Sequence, residues 1–190
     1  NHADYSLLDG AVSIKNLVSK ASNQGMKHLA LTDHGNMFGA LRFYETCKKA
    51  GVNPIVGVEF YIAPGSRLVK SGGENSQKYY HLVLLARDYE GYKNLMYLTS
   101  IGYLEGFYYK PRIDNELLES HHAGLTCSSA CLAGEIPQLI LQNRESEAEK
   151  RALYYRELFG KDHFFLELQD HGIPEQKIVN DALLRLSAKT

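Results

Sequence analysis

Seven side chains of the kinds that bind metals or carry protons stand at or near predicted strand ends or in the turns that follow them: His2, Asp9, Asp33, His34, Glu59, His81 and Cys131. Together they make a mixed imidazole, carboxylate and thiolate set, which favours zinc or manganese over calcium or magnesium alone. The densest group lies in HLALTDHGNMFG, residues 28–39, where Leu29, Ala30 and Leu31 predict a short buried strand running into Thr32, Asp33 and His34 and then a glycine-containing turn. In a parallel α/β protein, chemistry collects in the crevice beyond the carboxyl ends of the strands, so an Asp-His pair there carries more weight than elsewhere. Taken alone, the pair reads equally well as an Asx-type turn beside an exposed histidine. The other positions argue against taking it alone.

Glu59 stands in the middle of PIVGVEFYIA, a β-branched and aromatic run that predicts a long strand. Either it faces outward at an edge, or it points into a site with a partner, because an unpaired buried carboxylate is expensive. His81 opens the next strand, YYHLVLLAR; a lone histidine in such a place is ordinarily structural. Cys127 and Cys131 are four apart, but one cysteine pair without a second is not a zinc finger. A single thiolate ligand is the better reading, and Cys131, in the turn before LAGEIPQ, is expected to face the site rather than Cys127 at the end of a short apolar strand. Cys47 reads as a buried small apolar residue. Three cysteines so spaced argue against a disulfide framework and fit a reducing compartment. The stretch GFYYKPRID sets Lys110 and Arg112 among aromatics, a combination that can grip a phosphate or stack on a base but more often packs a surface.

The elements that must position these groups alternate between strand and helix. NHADYSLLDG is too polar for a plain strand, and Ser13 caps a helix with Ile14, Leu17, Val18 and Ala21 at helical spacing, a first βα unit. A second helix is expected to carry Leu41, Tyr44 and Ala50 on related faces, with Gly51 as its stop. Residues 64–79, with Gly65, Gly72 and Gly73, predict a surface loop. A connection without a helix suggests that the Glu59 and His81 strands run antiparallel. Asp88 caps a long helix to about Gly106 with an inner stripe of Tyr92, Leu95, Met96 and Thr99. A short helix over residues 114–119 precedes His121 and His122. Then come a short strand and a helix towards Gln142, an amphipathic helix over residues 146–159, an alternating strand in HFFLELQDHG, and a last helix from Pro174 through Lys189.

The chain of 190 residues is 44% hydrophobic, enough for one sizeable core, so residues 1–190 are expected to form a single domain. Its 21 basic and 22 acidic residues give a net charge of -1, no electrostatic footprint for gripping a phosphate backbone unaided. No apolar run approaches the ~20 residues of a membrane span, so a soluble, cytoplasmic protein without a membrane partner is expected. The absence of a starting Met suggests a fragment of a longer chain. The alternation of elements predicts an α/β fold, a barrel made irregular by its non-helical connection.

NHADYSLLDG, LALTDHGNMFGALRFYETCKKAGVNPIVGVEFYIAP, YYHLVLLARDYEGYKNL and GFYYKPRID, in this order and across essentially the whole chain, resemble the polymerase-and-histidinol-phosphatase (PHP) domain of bacterial replicative DNA polymerase III alpha subunits. The resemblance implies a distorted, TIM-like β/α barrel, truncated at both ends, with a multinuclear metal site at its strand ends. His2 is similar to the second histidine of the family's first His-x-His motif, and Asp9, His34, Glu59, His81 and Cys131 fall on later ligand positions. Asp33 lies beside them, supporting a ligand or shaping the turn. The family's first histidine would precede Asn1 and its late Asp-x-His pair would follow Thr190.

The resemblance leaves alternatives open. In one, the domain is a metal-dependent phosphoesterase, a 3′-to-5′ proofreading exonuclease with Glu59, His34 and Asp33 as its catalytic residues and zinc or manganese as its cofactor. Its DNA 3′ end would be delivered by the remaining domains of a DNA-directed DNA polymerase. In another, the domain is a non-catalytic module that stabilises the polymerase and docks a separate proofreading exonuclease subunit. A third is a free-standing phosphatase of small esters.

Overall fold

The structure is a computed structural model that describes residues 1–71 and 78–190. Gly72 and Gly73 of the expected surface loop lie outside the described residues; the described flanks of that loop contain no helix or strand. Helix α1, Ile14–Asn23, starts where the Ser13 hydroxyl accepts the Asn16 N–H. Strand β1, His28–Leu31, leads through the His34 turn to α2, Ala40–Lys49. The ten-residue β2, Asn53–Ile62, and then β3, Tyr80–Ala86, form the centre of the sheet. Helix α3, Tyr89–Leu104, is capped by Asp88. The short β4, Arg112–Ile113, precedes α4, Asn115–Ser120. Strand β5, Leu125–Ser128, is followed by α5, Glu135–Leu141, α6, Glu145–Phe159, β6, Phe164–Phe165, and α7, Pro174–Ser187.

The sheet order is β1-β2-β3-β5-β6, with β4 beside β2. Strands β1 and β4 share one edge of β2 and run parallel to it, while β3 runs antiparallel along the other edge, as the helix-free connection predicted. Strand β5 is antiparallel to β3, and β6 is parallel to β5. Among the described residues β1 and β6 do not pair, so the sheet stays open and the fold is a distorted form of the expected barrel. One face of the sheet carries Val58, Phe60, Ile62, Leu82 and Leu84 into a core shared with helices α3 to α7. A second core joins α1, α2 and β1 through Ile14, Val18, Leu31, Phe43 and Cys47.

Several expectations shift in phase or extent. The inner face of α2 is Ala40, Phe43 and Cys47, whereas Leu41 and Tyr44 are exposed and Ala50 lies past the helix end; three- and four-residue spacing occurs on either side of the helix, and contact with β1 and β2 selects the buried one. Likewise α3 buries Leu95 and Leu98 between two glycines, Gly91 and Gly102, and leaves Met96 outside. Among the described residues no strand precedes α1, so the first unit is turn and helix. Only Phe164 and Phe165 of HFFLELQDHG pair as strand, and α7 stops at Ser187. Lys110 and Arg112 also part company: Lys110 is half-buried at the surface, while Arg112 is 3% exposed and donates to the carbonyls of Arg67, Lys78, Val69 and Gly106.

That guanidinium ties the loop after β2 to the approach to β4, where no regular ladder can serve the backbone acceptors. Replacing it by Ala leaves the buried Gly106 carbonyl and three partly buried ones without this donor, at about 1–3 kcal/mol for a buried orphaned group. Arg112→Ala should therefore lower stability by about 3 kcal/mol, read as a lower urea midpoint at unchanged slope.

Candidate metal centre

Strand alternation dictates which side chains meet. With Val58, Phe60 and Ile62 in the core, Glu59 and Tyr61 project from the opposite face of β2. Tyr61 lies across from His81 and Glu59 across from Val83, so Glu59 and His81 are diagonal neighbours on that face. His81 Nδ1 donates to Glu59 Oε1 at 2.6 Å. The same rule separates the cysteines. Cys127 is in register with Leu84 on the core side and fully buried, which pushes its thiol well up in pKa. Cys131 sits in the turn beyond β5 with its Sγ 3.6 Å from His81 Nδ1 and 3.7 Å from Glu59 Oε1. Gly134 permits that turn, because a Cβ there would stand 2.2 Å from the Ser129 carbonyl oxygen. The His81 N–H donates to the Ala133 carbonyl and anchors the turn to β3.

His34 arrives from the other edge. Beyond β1 the backbone keeps contact with β2: the Glu59 N–H donates to Asp33 O at 3.2 Å and the Gly35 N–H to Glu59 O at 2.9 Å. Gly35 has φ +62°, and a Cβ there would press on Pro111 and the Tyr61 ring. The opening segment is held by Asp33, which is buried. Its Oδ1 accepts the Ala3 N–H and the Ser6 hydroxyl, both at 2.7 Å, and Ser6 Oγ in turn accepts the His34 N–H at 3.0 Å. This clasp brings His2 Nε2 to 3.3 Å from Glu59 Oε2 and stacks its ring on His34 at 4.3 Å. Asp9 Oδ2 lies 3.0 Å from His34 Nε2 and 3.7 Å from His2 Nε2.

The electrostatics centre on Glu59. Burial alone would raise its pKa, but His2 and His81 outweigh burial and hold the carboxyl well below the usual range, so it is ionised. Burial opposes protonation of His81, yet the hydrogen bonds to Cys131 and Glu59 prevail and push its pKa up to about 9. The bond to Glu59 raises His2 as well, whereas burial lowers His34 and favours its neutral form. The Nδ1 atoms of His2 and His34 are buried without a hydrogen-bond partner among the described residues.

Six residues singled out in the sequence as ligand types, His2, Asp9, His34, Glu59, His81 and Cys131, thus come together from β1, β2, β3 and the turns around them. Within the set, His2, His34 and Glu59 offer donor atoms within 4.8 Å of one another, and so do Glu59, His81 and Cys131. An ion at ~2.0–2.3 Å from nitrogen, oxygen or sulfur leaves its ligands at such separations, so the donor chemistry fits a divalent metal. Asp33 stands apart from the cluster and supports it from behind. Ser6 is not apparent from the sequence; its only signal is a small hydroxyl in a polar turn, which is free to bond the backbone.

Residues 1–171 match the PHP domain family. DNA polymerase III subunit alpha of Borreliella burgdorferi is 54% identical over 186 residues, 98% of this chain, and that of Treponema pallidum is 52% identical over 188 residues, 99% of this chain. The chain spans 16% of the length of each of these relatives. Among solved structures, a protein from Bifidobacterium adolescentis provisionally assigned as a metal-dependent phosphoesterase shares the fold, with a TM-score of 0.60 at 14% identity over 99% of this chain and 81% of that one. No helix among the described residues is long and apolar enough to cross a membrane.

Two outcomes follow from this geometry. A thiol reagent applied to the native protein should label Cys131, which is partly exposed, ahead of the buried Cys47 and Cys127; peptide mapping that finds Cys127 modified first contradicts its pairing with Leu84 on the core face. Asp33→Ala should release the segment bearing His2 and Asp9 and cost about 1–3 kcal/mol, seen as faster amide exchange at Ala3 and His34.

Proposed function

The chain belongs to the PHP domain family, and from that premise we propose that it is the PHP domain of a bacterial replicative DNA polymerase III alpha subunit, acting there as a metal-dependent 3′-to-5′ exonuclease. The observation that carries the reading is the position of Glu59, whose Oε2 faces His2 and whose Oε1 faces His81 and Cys131. One carboxylate shared between two donor groups suits a cluster of adjacent ions, and the imidazole and thiolate donors favour zinc, with manganese the alternative.

His2, His34 and Glu59 would hold one ion, with Asp9 at its exposed side, and Glu59, His81 and Cys131 a second. Bound there, divalent ions supply an activated water and neutralise the charge that develops on a phosphodiester under attack. The chain's own part is to deliver ionised Glu59 and neutral His34 to the same point, and to keep them there through the Asp33 clasp and the Gly134 turn. Asp33 is a positioning residue in this account. Residues 1–190 are read as one domain, since Val179, Leu183 and Leu186 of α7 enter the same core as β2 and β3. A net charge of -1 leaves the DNA to be held mainly by other domains of the polymerase.

The test is Glu59→Ala in the full-length subunit carrying this sequence. Bound metal and metal-dependent release of 3′ nucleotides should both fall, the latter by about 100-fold or more, with polymerisation retained. A thermal melt with and without added zinc separates loss of the site from loss of the fold. A folded variant that trims 3′ ends at the parent rate would overturn the nuclease and leave the domain as a support and docking module.

A further inference from the structure

A rim of aromatic and basic side chains borders the cluster, and the ligands do not account for it. Tyr61 joins the two: its ring centroid is 5.9 Å from that of His34 and 5.2 Å from that of His81, and Lys110 Nζ lies 5.5 Å from the Tyr61 centroid. Pro111, next in the chain, packs against Gly35 below the His34 turn and against Gly102 of α3. That second contact sets Tyr103 beside the same rim, where its ring lies 6.4 Å from Phe38 and 6.2 Å from Phe107. Phe38 leaves the His34 turn itself, its N–H held by Asn36 Oδ1 at 3.2 Å. These three rings are exposed by 69%, 41% and 49% for Phe38, Tyr103 and Phe107.

Aromatic rings exposed on the His34 turn, at the end of α3 and on the segment that follows it, together with the Lys110 ammonium over Tyr61 at the cluster, match the chemistry of a nucleotide: rings for the base and Lys110 for the phosphate. A base can use such a surface only when it is unpaired and its face is free, which is the state of a mispaired or single-stranded terminus. Stacking is also tolerant of sequence, because every base has a π-face.

We propose that Phe38, Tyr103, Phe107 and Lys110 form a subsite for the terminal nucleotide of a single-stranded 3′ end, holding its base so that the adjacent phosphodiester reaches the Glu59 cluster. The proposal rests on the phosphodiesterase reading above, and it specifies which substrate that site prefers. Selection between paired and unpaired ends then falls to the rim, and the metal ligands need not recognise the base at all.

The experiment uses the full-length subunit in a chelator with an oligonucleotide ending in 3′ 5-iodouracil, photocrosslinked and mapped by mass spectrometry. Adducts are expected on Phe38, Tyr103 or Phe107. Binding in chelator needs no catalysis, so rim adducts in a protein that digests nothing once metal is restored would sink the nuclease reading and keep the subsite. No rim adduct overturns the subsite, whether or not the protein digests DNA. With metal restored, the double change Phe38→Ala, Phe107→Ala should raise the KM for a single-stranded 3′ end by about fivefold or more at unchanged metal content, and Phe107→Trp should keep it near the parent value. Lys110→Ala should weaken binding and lower the salt slope by about 1. Unchanged KM in both the double variant and Lys110→Ala would also overturn the proposal.

Discussion

A carboxylate buried in the middle of a sheet needs partners, and the need of Glu59 for two organises one end of this molecule. It is 6% exposed and ionised, so its environment must supply positive charge or strong donors on both oxygens. His81 meets one oxygen from the neighbouring strand. His2 meets the other only because the opening segment is folded back against the turn after β1, and Asp33 and Ser6 hold it there. The geometry of the opening segment is thus tied to a charge on a strand far along the chain.

The antiparallel step between β2 and β3 determines where the cluster sits. In a regular parallel barrel every ligand would come from a carboxyl strand end. Here the segment leaving the carboxyl end of β1 and the amino end of β3 meet over the carboxyl-terminal half of β2, because reversing one strand brings its start to where its neighbour finishes. The same reversal places Cys127 on the core face of β5 and leaves the turn beyond it, with Cys131, to reach the site. An open sheet with mixed directions is therefore compatible with a compact cluster, since diagonal neighbours on one face are closer than successive strand ends.

Much of this is legible in the sequence, and the misses have a common cause. A strong β run with a charge at its centre announces both the element and the anomaly, and Glu59 can be read this way; the antiparallel step is legible in the connection without a helix, and it is that step which gives the otherwise ordinary His81 a place beside Glu59. Spacing puts helices α2 and α3 in the right places but rotated, because it fixes the period of a helix and only the neighbouring strand fixes its phase. Leu41 and Met96 fall on the wrong side for that reason. Arg112 reads as a surface cation, since nothing local shows that distant loops leave carbonyls in need of a donor. The Ser6 and Asp33 contacts are likewise tertiary, joining residues 27 apart.

The candidate ligand side chains also satisfy one another, which bears on how the fold and the site depend on each other. Glu59 bonds His81 and faces His2, His34 meets Asp9, and Cys131 lies on both Glu59 and His81. An ion bound here would have to replace these contacts, so its net affinity would be smaller than the sum of the bonds it made, in the way that intramolecular hydrogen bonds are worth little net of those they replace. In return the donors are already gathered, and little ordering remains to be done on binding. The two hydrophobic cores hold the chain neighbours of this cluster, Val58 and Phe60 on either side of Glu59 in one and Ala3 beside His2 in the other. Apolar burial on the far face holds the sheet's shape, but a change of partner at Glu59 is felt by the opening segment through His2 and the Asp33 contacts.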